Sequence, residues 1–505
     1  MGDRGARPAV VVLALLLASV ASAAAAPRFR VGSKAFTEGV ILGEIVTEAG
    51  LTAGAAAEHR AQMGGTRILW TALTAGEIDA YVEYSGTLTE EILPELRLPR
   101  GDLDALRAAL AARGVGMIGP LGFQNTYALG MTEARAAQLG VRTISELAAH
   151  PALTCGFSSE FLDRDDGWPG LARRYRLPAR DVRGLDHDLA YRALVDGSLD
   201  VTDVYTTDAE IERFHLRVLV DDLGYFPAYD AVIVYRQAWA DGAPAVARAL
   251  GRLAGAIAPA DMIAMNARAR IDHVPEVEVA GALVRDRFGV ASGRRGAGRA
   301  QRIWARTQEH VVLVAAALAL AILLALPLGV LAARHRRAGH VVLGVVGVVQ
   351  TVPSLALLVL AIPLVGIGGP PAIAAMVAYS LLPIVRNTHA GLTAIAPPLL
   401  ESADVLGLGR WTVLRRVELP LALPAIFAGI QTAAVLSVGT ATIGALVGAG
   451  GYGQTILTGI RLDDHALIFE GAVPAAALAL VVQGLFELIG RAVVPRGLRL
   501  GPASR

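Results

Sequence analysis

The C-terminal half of the chain contains stretches that are long and apolar enough to cross a membrane. The stretch Val311–Ala333 has no charged residue, and a basic cluster follows it at once. A helix needs about 20 apolar residues to cross a hydrocarbon core of roughly 30 Å. Further stretches of similar character, of which the second is the shortest, are Val341–Ile367, Pro371–Val385, Leu421–Val447 and Ala466–Ile489. The sequence therefore predicts an all-α domain of about five spans over residues 310–495, embedded in a lipid bilayer.

The arginines of this half are unevenly distributed among the predicted loops. Segments 334–337, 386–420 and 491–505 hold most of them, whereas 448–466 holds only Arg461. Cytoplasmic loops carry an excess of Lys and Arg, so the arginine-rich loops are predicted to face the cytoplasm. The part of the chain before the first span is then predicted to lie outside, although several arginines immediately precede that span.

The N-terminus has the pattern of a secretory signal peptide. Two arginines precede an apolar run from Ala9 to Val20, and small residues follow. This order predicts a signal peptide over residues 1–26, with an uncleaved membrane anchor as the alternative. Either form exports the domain that follows. Cys155 is the single cysteine, so the sequence allows no internal disulfide and no lipid anchor on a cysteine after the signal.

Residues 27–292 have the pattern of an α/β domain. Strand-like runs such as FRVGS alternate with helical patterns such as LAYRALVDG, which ends at Gly197. Alternating strands and helices predict sheets that are covered by helices on both faces. The Gly- and Arg-rich segment 293–309 is interpreted as a linker to the membrane domain.

Charge and motifs argue against several classes of function. The formal net charge of +1 predicts no nucleic-acid partner. Lys34 is the only lysine, and the residues before it do not fit the GxxxxGK[ST] loop that holds nucleotide phosphates. If the protein uses ATP, another chain binds it, and no cofactor, metal site or catalytic residue is predicted. Asp186, His187 and Asp188 would suit acid–base or metal chemistry, but they are interpreted as a polar turn before a helix.

The predicted cytoplasmic loop between the third and fourth spans carries a spaced motif, ESADVLGLGRWTVLRRVELP. It predicts an amphipathic helix, a glycine turn and a short second helix that a proline ends. The motif residues are Glu401, Ser402, Ala403, Gly407 and Pro420. Their spacing resembles the coupling loop of ABC importer permeases, from which only Ser402 and Val417 depart, both mildly. The resemblance implies that loop 401–420 contacts a separate cytoplasmic ATPase subunit and that two permeases form a homodimer.

The neighbouring segments VVQTVPSLALL and LLPIVRNTHAGL resemble the permeases of glycine betaine/choline importers in particular. Residues 31–233 resemble the substrate-binding proteins of the same importers. Six segments carry this second resemblance, in the family's order: VGSKAFTEGVILGEI, GGTRILWTALTAGEIDAYVEYSGT, FQNTYAL, DRDDG, DVYTTDAEI and DDLGYFPAYDAV. The resemblance implies two α/β lobes that close on a ligand in the cleft between them.

Seven residues of these segments fall where the family binds its ligand. The family's aromatic cage implies that Tyr84, Tyr127, Tyr205 and Tyr229 are its walls. The family's carboxylate site implies Lys34, Thr87 and Arg164. Asn125 is a weaker candidate, whereas Trp168 and the other tyrosines of this domain are interpreted as structural.

The chemistry of a quaternary ammonium ligand agrees with such a site. The ammonium group has no hydrogen to donate, and aromatic faces meet its charge at about 0.5–2 kcal/mol per ring. Tyrosine suits a cleft because polar neighbours can hold its hydroxyl group. If the ligand also carries a carboxylate, fixed cations and donors are needed nearby.

The sequence thus predicts an inner-membrane importer component for an osmoprotectant, with glycine betaine as the expected ligand. Choline, carnitine, proline betaine and ergothioneine are alternatives, because the sequence does not determine the size of the cleft. A ligand-binding membrane sensor is a second class of function, against which the coupling loop argues. Residues 27–292 are expected to lie outside the inner membrane.

Overall fold

A computed structural model describes residues 26–164, 166–178, 181–290, 292–462 and 464–493 of the chain. Apart from residue 26, the predicted signal peptide lies outside the described residues, as do the last residues of the predicted membrane domain. The described chain forms a two-lobed α/β domain, called the receptor domain below, followed by a helical domain.

The described part of the receptor domain contains ten strands. They are β1 (Arg28–Gly32), β2 (Ala56–Arg60), β3 (Ala80–Tyr84), β4 (Val115–Ile118), β5 (Tyr127–Thr132), β6 (Thr154–Ser158), β7 (Asp181–Leu185), β8 (Thr202–Tyr205), β9 (Leu216–Val218) and β10 (Ala231–Arg236). The predicted strand FRVGS is β1, and it ends one residue before the serine.

Lobe 1 is built on a five-stranded sheet in the order β2-β1-β3-β10-β4. The strands β2, β1 and β3 are parallel, and β10 pairs antiparallel with β3 and with β4. The β-branched run Val232, Ile233 and Val234 of β10 is fully buried, as expected for a strand covered on both faces. Because the chain leaves this sheet after β4 and returns with β10, lobe 1 contains both ends of the receptor domain.

Lobe 2 contains an antiparallel sheet in the order β8-β5-β9 and a parallel pair, β6-β7. The chain crosses between the lobes before β5 and again before β10. An isolated antiparallel bridge between Gln124 and Asp230 places these two crossings side by side. Two adjacent crossing segments can act as a hinge between lobes. The two-lobed fold that the resemblance implied is therefore confirmed.

Helices pack around both sheets. The described α-helices of the receptor domain that are longer than four residues are α1 (Thr37–Thr52), α2 (Thr66–Thr74), α3 (Leu103–Ala111), α4 (Glu133–Leu139), α5 (Ser159–Asp163), α6 (Trp168–Tyr175), α7 (His187–Val195), α8 (Gln237–Gly242), α9 (Pro244–Gly251), α10 (Pro259–Arg270) and α11 (Glu276–Phe288). The predicted helix that ends at Gly197 is α7, and Gly197 takes the left-handed conformation with a φ of 81°.

The membrane domain is entirely helical over its described residues. Its longer helices are α12 (Arg299–Arg334), α13 (Arg336–Thr351), α14 (Ser354–Val365), α15 (Gly369–Thr393), α16 (Pro397–Val405), α17 (Leu419–Ala441), α18 (Tyr452–Arg461) and α19 (His465–Val493). The predicted linker 293–309 is helical from Arg299 onward, so its irregular part is shorter than expected.

Four stretches of described helix are each long and apolar enough to cross a membrane, namely α12, α15, Arg410–Ala441 and α19. The expected span Val341–Ile367 is not one straight helix, since α13 and α14 meet at 102°. Pro353 explains the break because proline disfavours a helical conformation in the preceding residue, and Val352 is extended with a ψ of 129°. If the bent pair counts as one span, the described domain has five.

The loop 401–420 differs from its prediction in its second half. After α16, Gly407 makes the expected turn with a φ of 70°, a conformation that glycine adopts without strain. Pro420 does not end the second helix, as was expected. It lies in the first turn of α17, after a widened π-helical turn at Leu414–Glu418. The helix continues through this turn from Arg410 to Ala441, so Pro420 is accommodated inside it.

The two ends of the membrane domain contact different parts of the chain. At one end, Arg334 pairs with Glu418 at 2.5 Å, which joins the end of α12 to the loop 401–420. At the other end, Ile367 packs into a buried apolar cluster of lobe 1 that includes Met63 and Leu69. The receptor domain and the loop 401–420 therefore lie at opposite ends of the membrane helices.

Candidate functional site

Aromatic rings form a continuous row in the cleft between the lobes. The ring centroids of Tyr84 and Phe36 are 6.4 Å apart, and those of Phe36 and Tyr205 are 5.8 Å apart. Tyr205 lies 5.1 Å from Tyr127, and Tyr229 meets Tyr127 edge-on at 5.6 Å. The structure therefore brings all four predicted cage tyrosines together. Phe36 was not predicted, yet it connects Tyr84 of lobe 1 to Tyr205 of lobe 2.

The ends of the strands position these rings. Tyr84 is the last residue of β3, Tyr127 the first of β5 and Tyr205 the last of β8. Tyr127 and Tyr205 are direct partners across the antiparallel β5–β8 pair, which places both rings on one face of the sheet. Tyr229 lies in the second crossing segment, where its carbonyl accepts a hydrogen bond from the Asn125 amide at 3.0 Å. The row therefore spans both lobes and the hinge.

The rings pack directly against one another. Tyr84, Tyr127 and Tyr229 are buried, whereas Tyr205 and Phe36 are half-buried. A cation held by a ring lies within about 6 Å of its centroid, over the face. Because the centroids of Tyr127 and Tyr205 are already 5.1 Å apart, no cation fits between these two faces until they separate. Both rings belong to lobe 2, so opening of the lobes does not separate them, and these two rings must rotate before a cation can lie between them.

The three residues predicted to bind a carboxylate flank the row at two places. Lys34 Nζ lies 5.5 Å from the centroid of the Tyr84 ring and donates to Glu83 at 2.5 Å. The Arg164 guanidinium lies 5.7 Å from the centroid of Tyr127. Arg164 also donates to the Thr87 hydroxyl at 3.5 Å, and this long hydrogen bond crosses from lobe 2 to lobe 1.

Acidic partners already surround Arg164. Its guanidinium donates to Asp166 at 2.7 and 2.5 Å and to Glu91 at 2.8 Å. Burial raises the pKa of Asp166, but the hydrogen bonds from Arg164 outweigh this effect and hold the pKa below its usual value. Burial raises the pKa of Glu91 with less compensation from Arg164. The two carboxylates therefore differ, since the pKa of Glu91 stays above its usual value whereas that of Asp166 lies below it.

A buried carboxylate that sequence reasoning missed lies directly behind the row. Glu38 in α1 accepts hydrogen bonds at Oε1 from the Tyr84 hydroxyl at 2.6 Å and the Asn125 amide at 2.9 Å. At Oε2 it accepts them from the Thr207 hydroxyl at 2.5 Å and the Asn266 amide at 3.1 Å. Burial raises the pKa of Glu38 against the opposing effect of these hydrogen bonds. Glu38 therefore links a ring of lobe 1 to a hydroxyl of lobe 2, and its only sequence signal is its place in VGSKAFTEGVILGEI.

His187 also reaches the row. Its ring lies 4.4 Å from Tyr205, with Nε2 3.0 Å from Asp208 and Nδ1 3.5 Å from Asp203. Burial lowers the pKa of His187, but its interactions with the two carboxylates outweigh this effect and raise the pKa well above its usual value. The interpretation of a polar turn before a helix holds only for Asp186, since α7 already begins at His187, and it missed the contact with Tyr205.

At the far end of the membrane domain, the loop 401–420 presents large apolar side chains to its surroundings. Val405, Leu406 and Trp411 are 87%, 76% and 71% exposed. A cluster of exposed apolar residues marks a contact surface. Among the motif residues, Ala403 is buried and its carbonyl accepts a hydrogen bond from the Leu408 amide at 3.2 Å, which closes the turn around Gly407.

A two-lobed domain with a row of tyrosines in its cleft, continuing into a bundle of apolar helices, has the architecture of a substrate-binding domain fused to a membrane permease. Comparison with known proteins identifies the family. Residues 27–286 match the substrate binding domain of the ABC-type glycine betaine transport system, and residues 325–498 match the binding-protein-dependent transport system inner membrane component. The chain belongs to this family of fused importer proteins and is a multi-pass inner-membrane permease with its own substrate-binding domain.

Two permease relatives agree with this assignment. The chain is 42% identical over 194 residues to the glycine betaine/carnitine/choline transport system permease protein OpuCB of Bacillus subtilis (strain 168), covering 38% of this chain and 89% of the relative. It is 44% identical over 198 residues to the osmoprotectant import permease protein OsmW of Salmonella typhimurium, covering 38% and 92%. A crystal structure of a glycine betaine/carnitine/choline ABC transporter is 26% identical, with a TM-score of 0.44 and coverage of 51% and 98%.

Proposed function

We propose that the receptor domain binds a small quaternary ammonium compound that also carries a carboxylate, and that glycine betaine is its preferred ligand. The observation that carries this proposal is the continuous row of rings with one cation beside Tyr84 and a second beside Tyr127. In this assignment the ammonium group is held by Tyr84, Tyr127, Tyr205 and Tyr229. The ligand carboxylate is held by Lys34, Thr87 and Arg164.

Charge favours a betaine over choline. Lys34 and Arg164 are fixed cations within 6 Å of the rings that would hold an ammonium group. A positively charged ligand gains from such neighbours only if it also presents a negative group to them. Choline has no negative group. Carnitine, proline betaine and ergothioneine carry both groups, and carnitine also appears in the name of the Bacillus relative.

We also propose that the two lobes close around the ligand. Tyr84 belongs to lobe 1, whereas Tyr127 and Tyr205 belong to lobe 2, so rotation at the hinge changes the distance between them. The ammonium group would replace the direct contact between rings by ring–cation contacts, which are stronger where water is excluded. Glu38 would hold the Tyr84 hydroxyl in place during this closure.

We further propose that a separate cytoplasmic ATPase subunit contacts the loop 401–420 and drives transport. The exposed side chains of Val405, Leu406 and Trp411 supply an apolar surface for that contact. Two copies of the chain would form the permease homodimer, each with a tethered receptor domain outside the membrane. A tether of this kind keeps the receptor near its permease at an effective concentration of about millimolar.

Calorimetric titration of the full-length chain in lipid nanodiscs tests the ligand assignment. Glycine betaine, choline, carnitine and ergothioneine are compared, and glycine betaine is expected to bind most tightly. Tyr205→Ala should weaken binding at least about tenfold, since it removes one ring of the cage. Tyr235→Ala is the matched control, because Tyr235 lies in β10 outside the row. Equal losses in both variants, or no binding of any of the four compounds to the folded protein, would refute the assignment.

A further inference from the structure

An arginine of the membrane domain is buried in the receptor domain. Arg461, the last residue of α18, is 5% exposed. Its Nη1 donates to the Thr37 hydroxyl at 2.8 Å, and its Nη2 pairs with Glu276 at 2.5 Å. Its backbone carbonyl accepts a hydrogen bond from Arg270 at 2.8 Å. The buried guanidinium thus contacts two helices of the receptor domain, and the backbone carbonyl contacts a third, so the contact is specific and not incidental.

Neighbouring contacts extend the same interface. Thr458, one turn before Arg461 in α18, accepts a hydrogen bond from the Gln62 side chain at 2.8 Å. Ile367, in the loop between α14 and α15, is buried in the apolar cluster of lobe 1 that includes Met63. The interface therefore combines an apolar contact with a set of directed hydrogen bonds.

All these receptor residues belong to lobe 1. Thr37 begins α1, Gln62 follows β2, Arg270 ends α10 and Glu276 begins α11, and both α10 and α11 pack against α1. The connection that leads into α12 is attached to the same lobe, since Ser292 donates to Glu48 at 2.7 Å. Rotation of lobe 2 about the hinge therefore leaves each of these contacts intact.

A cavity of about 330 Å³ lies where the cleft meets the membrane domain. From the receptor, it is lined by Lys34, Phe36 and Tyr205, all members of the row or its flanking cations. From the membrane domain, it is lined by Leu446, Leu457 and Ile460 of the segment that ends at Arg461, among others. The cleft thus faces the permease of the same chain across a shared space.

We propose that Arg461 holds lobe 1 of the receptor domain against the permease of its own chain. The cleft then opens into this shared cavity while lobe 1 stays docked. The inference rests on the proposed transport function and names the surface through which the ligand is delivered. In this arrangement lobe 2 is the moving part.

The cross-lobe contacts agree with this division of roles. The hydrogen bond from Thr207 to Glu38 and an ion pair between Arg270 and Glu210 both stabilise the closed cleft. Thr207 and Glu210 lie on lobe 2, and their partners lie on lobe 1. When these two contacts break, Arg270 still donates to the Arg461 carbonyl, so the docking surface does not depend on the state of the cleft.

Thiol cross-linking in the full-length chain tests the docking directly. In a Cys155→Ser background, Gln62→Cys and Thr458→Cys replace a hydrogen-bonded pair across the interface, and a short bifunctional thiol reagent reports their proximity. Arg461→Ala should slow this cross-linking about tenfold, and Glu276→Gln should slow it in the same direction. The matched control is Arg306→Ala, because Arg306 pairs with Glu309 of its own helix. If Arg461→Ala and Glu276→Gln both cross-link as fast as Arg306→Ala, the inference is wrong.

A second cross-link tests which lobe moves. A Cβ atom at Gly65 of lobe 1 would lie 2.4 Å from a carboxylate oxygen of Glu160 of lobe 2, so Gly65→Cys and Glu160→Cys span the cleft. With the 62–458 cross-link in place, radiolabelled glycine betaine should exchange at its normal rate, whereas the 65–160 cross-link should slow exchange at least about tenfold. Blocked exchange in the 62–458 protein would show that lobe 1 must undock. Absence of betaine binding with intact 62–458 cross-linking would refute the ligand assignment and leave the docking in place.

Discussion

The hydrogen bond between Thr207 and Glu38 makes the closed cleft sensitive to a single hydroxyl group. Thr207 is 2% exposed, lies on lobe 2, and donates to Glu38 of lobe 1 at 2.5 Å. Thr207→Val removes the hydroxyl and keeps the shape of the side chain. Since the bond joins the two lobes, it forms only when the cleft closes. Its loss should therefore weaken ligand binding and leave each separate lobe intact.

The size of the effect follows from the chemistry of the bond. A hydrogen bond to a charged acceptor contributes about 1.5–3 kcal/mol, and about 1.4 kcal/mol corresponds to a tenfold change in an equilibrium constant. Thr207→Val is therefore expected to raise the Kd for glycine betaine by about 10- to 100-fold. The lower limit is the better expectation, because Glu38 keeps its three other donors.

A matched control lies in the same lobe. Thr202 is fully buried in β8, and its hydroxyl has no hydrogen-bond partner among the described residues. Thr202→Val makes the same chemical change without removing a cross-lobe contact. Calorimetric titration of both variants in nanodiscs, with thermal unfolding of each to confirm folding, compares them directly. A Kd for Thr207→Val within twofold of the wild-type value, or an equal loss in Thr202→Val, would refute the reasoning.

Three further predictions concern the loop, its apolar surface and the pH dependence. Replacing Glu401 together with Gly407 by alanine should abolish uptake in cells and leave glycine betaine affinity unchanged, because the loop lies at the end of the membrane domain opposite to the receptor. Trp411→Glu should prevent co-purification of the ATPase subunit, whereas Trp304→Glu, which alters another exposed tryptophan outside the loop, should not. Because the pKa of His187 is raised in the folded protein, its protonated ring contributes to the free energy of unfolding. This contribution is complete below the unfolded pKa of about 6.5 and is lost as the pH rises through the folded pKa. His187→Asn should therefore flatten the alkaline decline of the unfolding temperature. Persistent uptake, retained co-purification or an unchanged pH profile would contradict the respective prediction.

Several features of the chain follow from local sequence alone. The apolar stretches predicted the membrane helices because a bilayer imposes a minimum length of apolar residues on each span. The turn at Gly407 and the end of α7 near Gly197 were predictable because glycine adopts the left-handed conformation without strain. The receptor fold and the seven candidate ligand residues came from motifs shared with a known family, and their roles remain predictions.

Tertiary structure decided the features that depend on residues far apart in the chain. Local patterns did not reveal that Pro353 divides one apolar stretch into two helices at 102°, or that Pro420 is accommodated inside a continuing helix. Both outcomes depend on how neighbouring helices and turns satisfy the backbone.

The sequence by itself determined the two kinds of domain, their order and the residue types available for an ammonium cage, because length, apolarity and motif spacing are local properties. Only the tertiary structure joined Phe36 to the row of tyrosines, gave Glu38 its four donors and brought Arg461 into contact with Thr37. The physical reason is burial. Burying a charged or polar side chain is costly unless partners satisfy it, and the identity of those partners is set by packing across the whole chain.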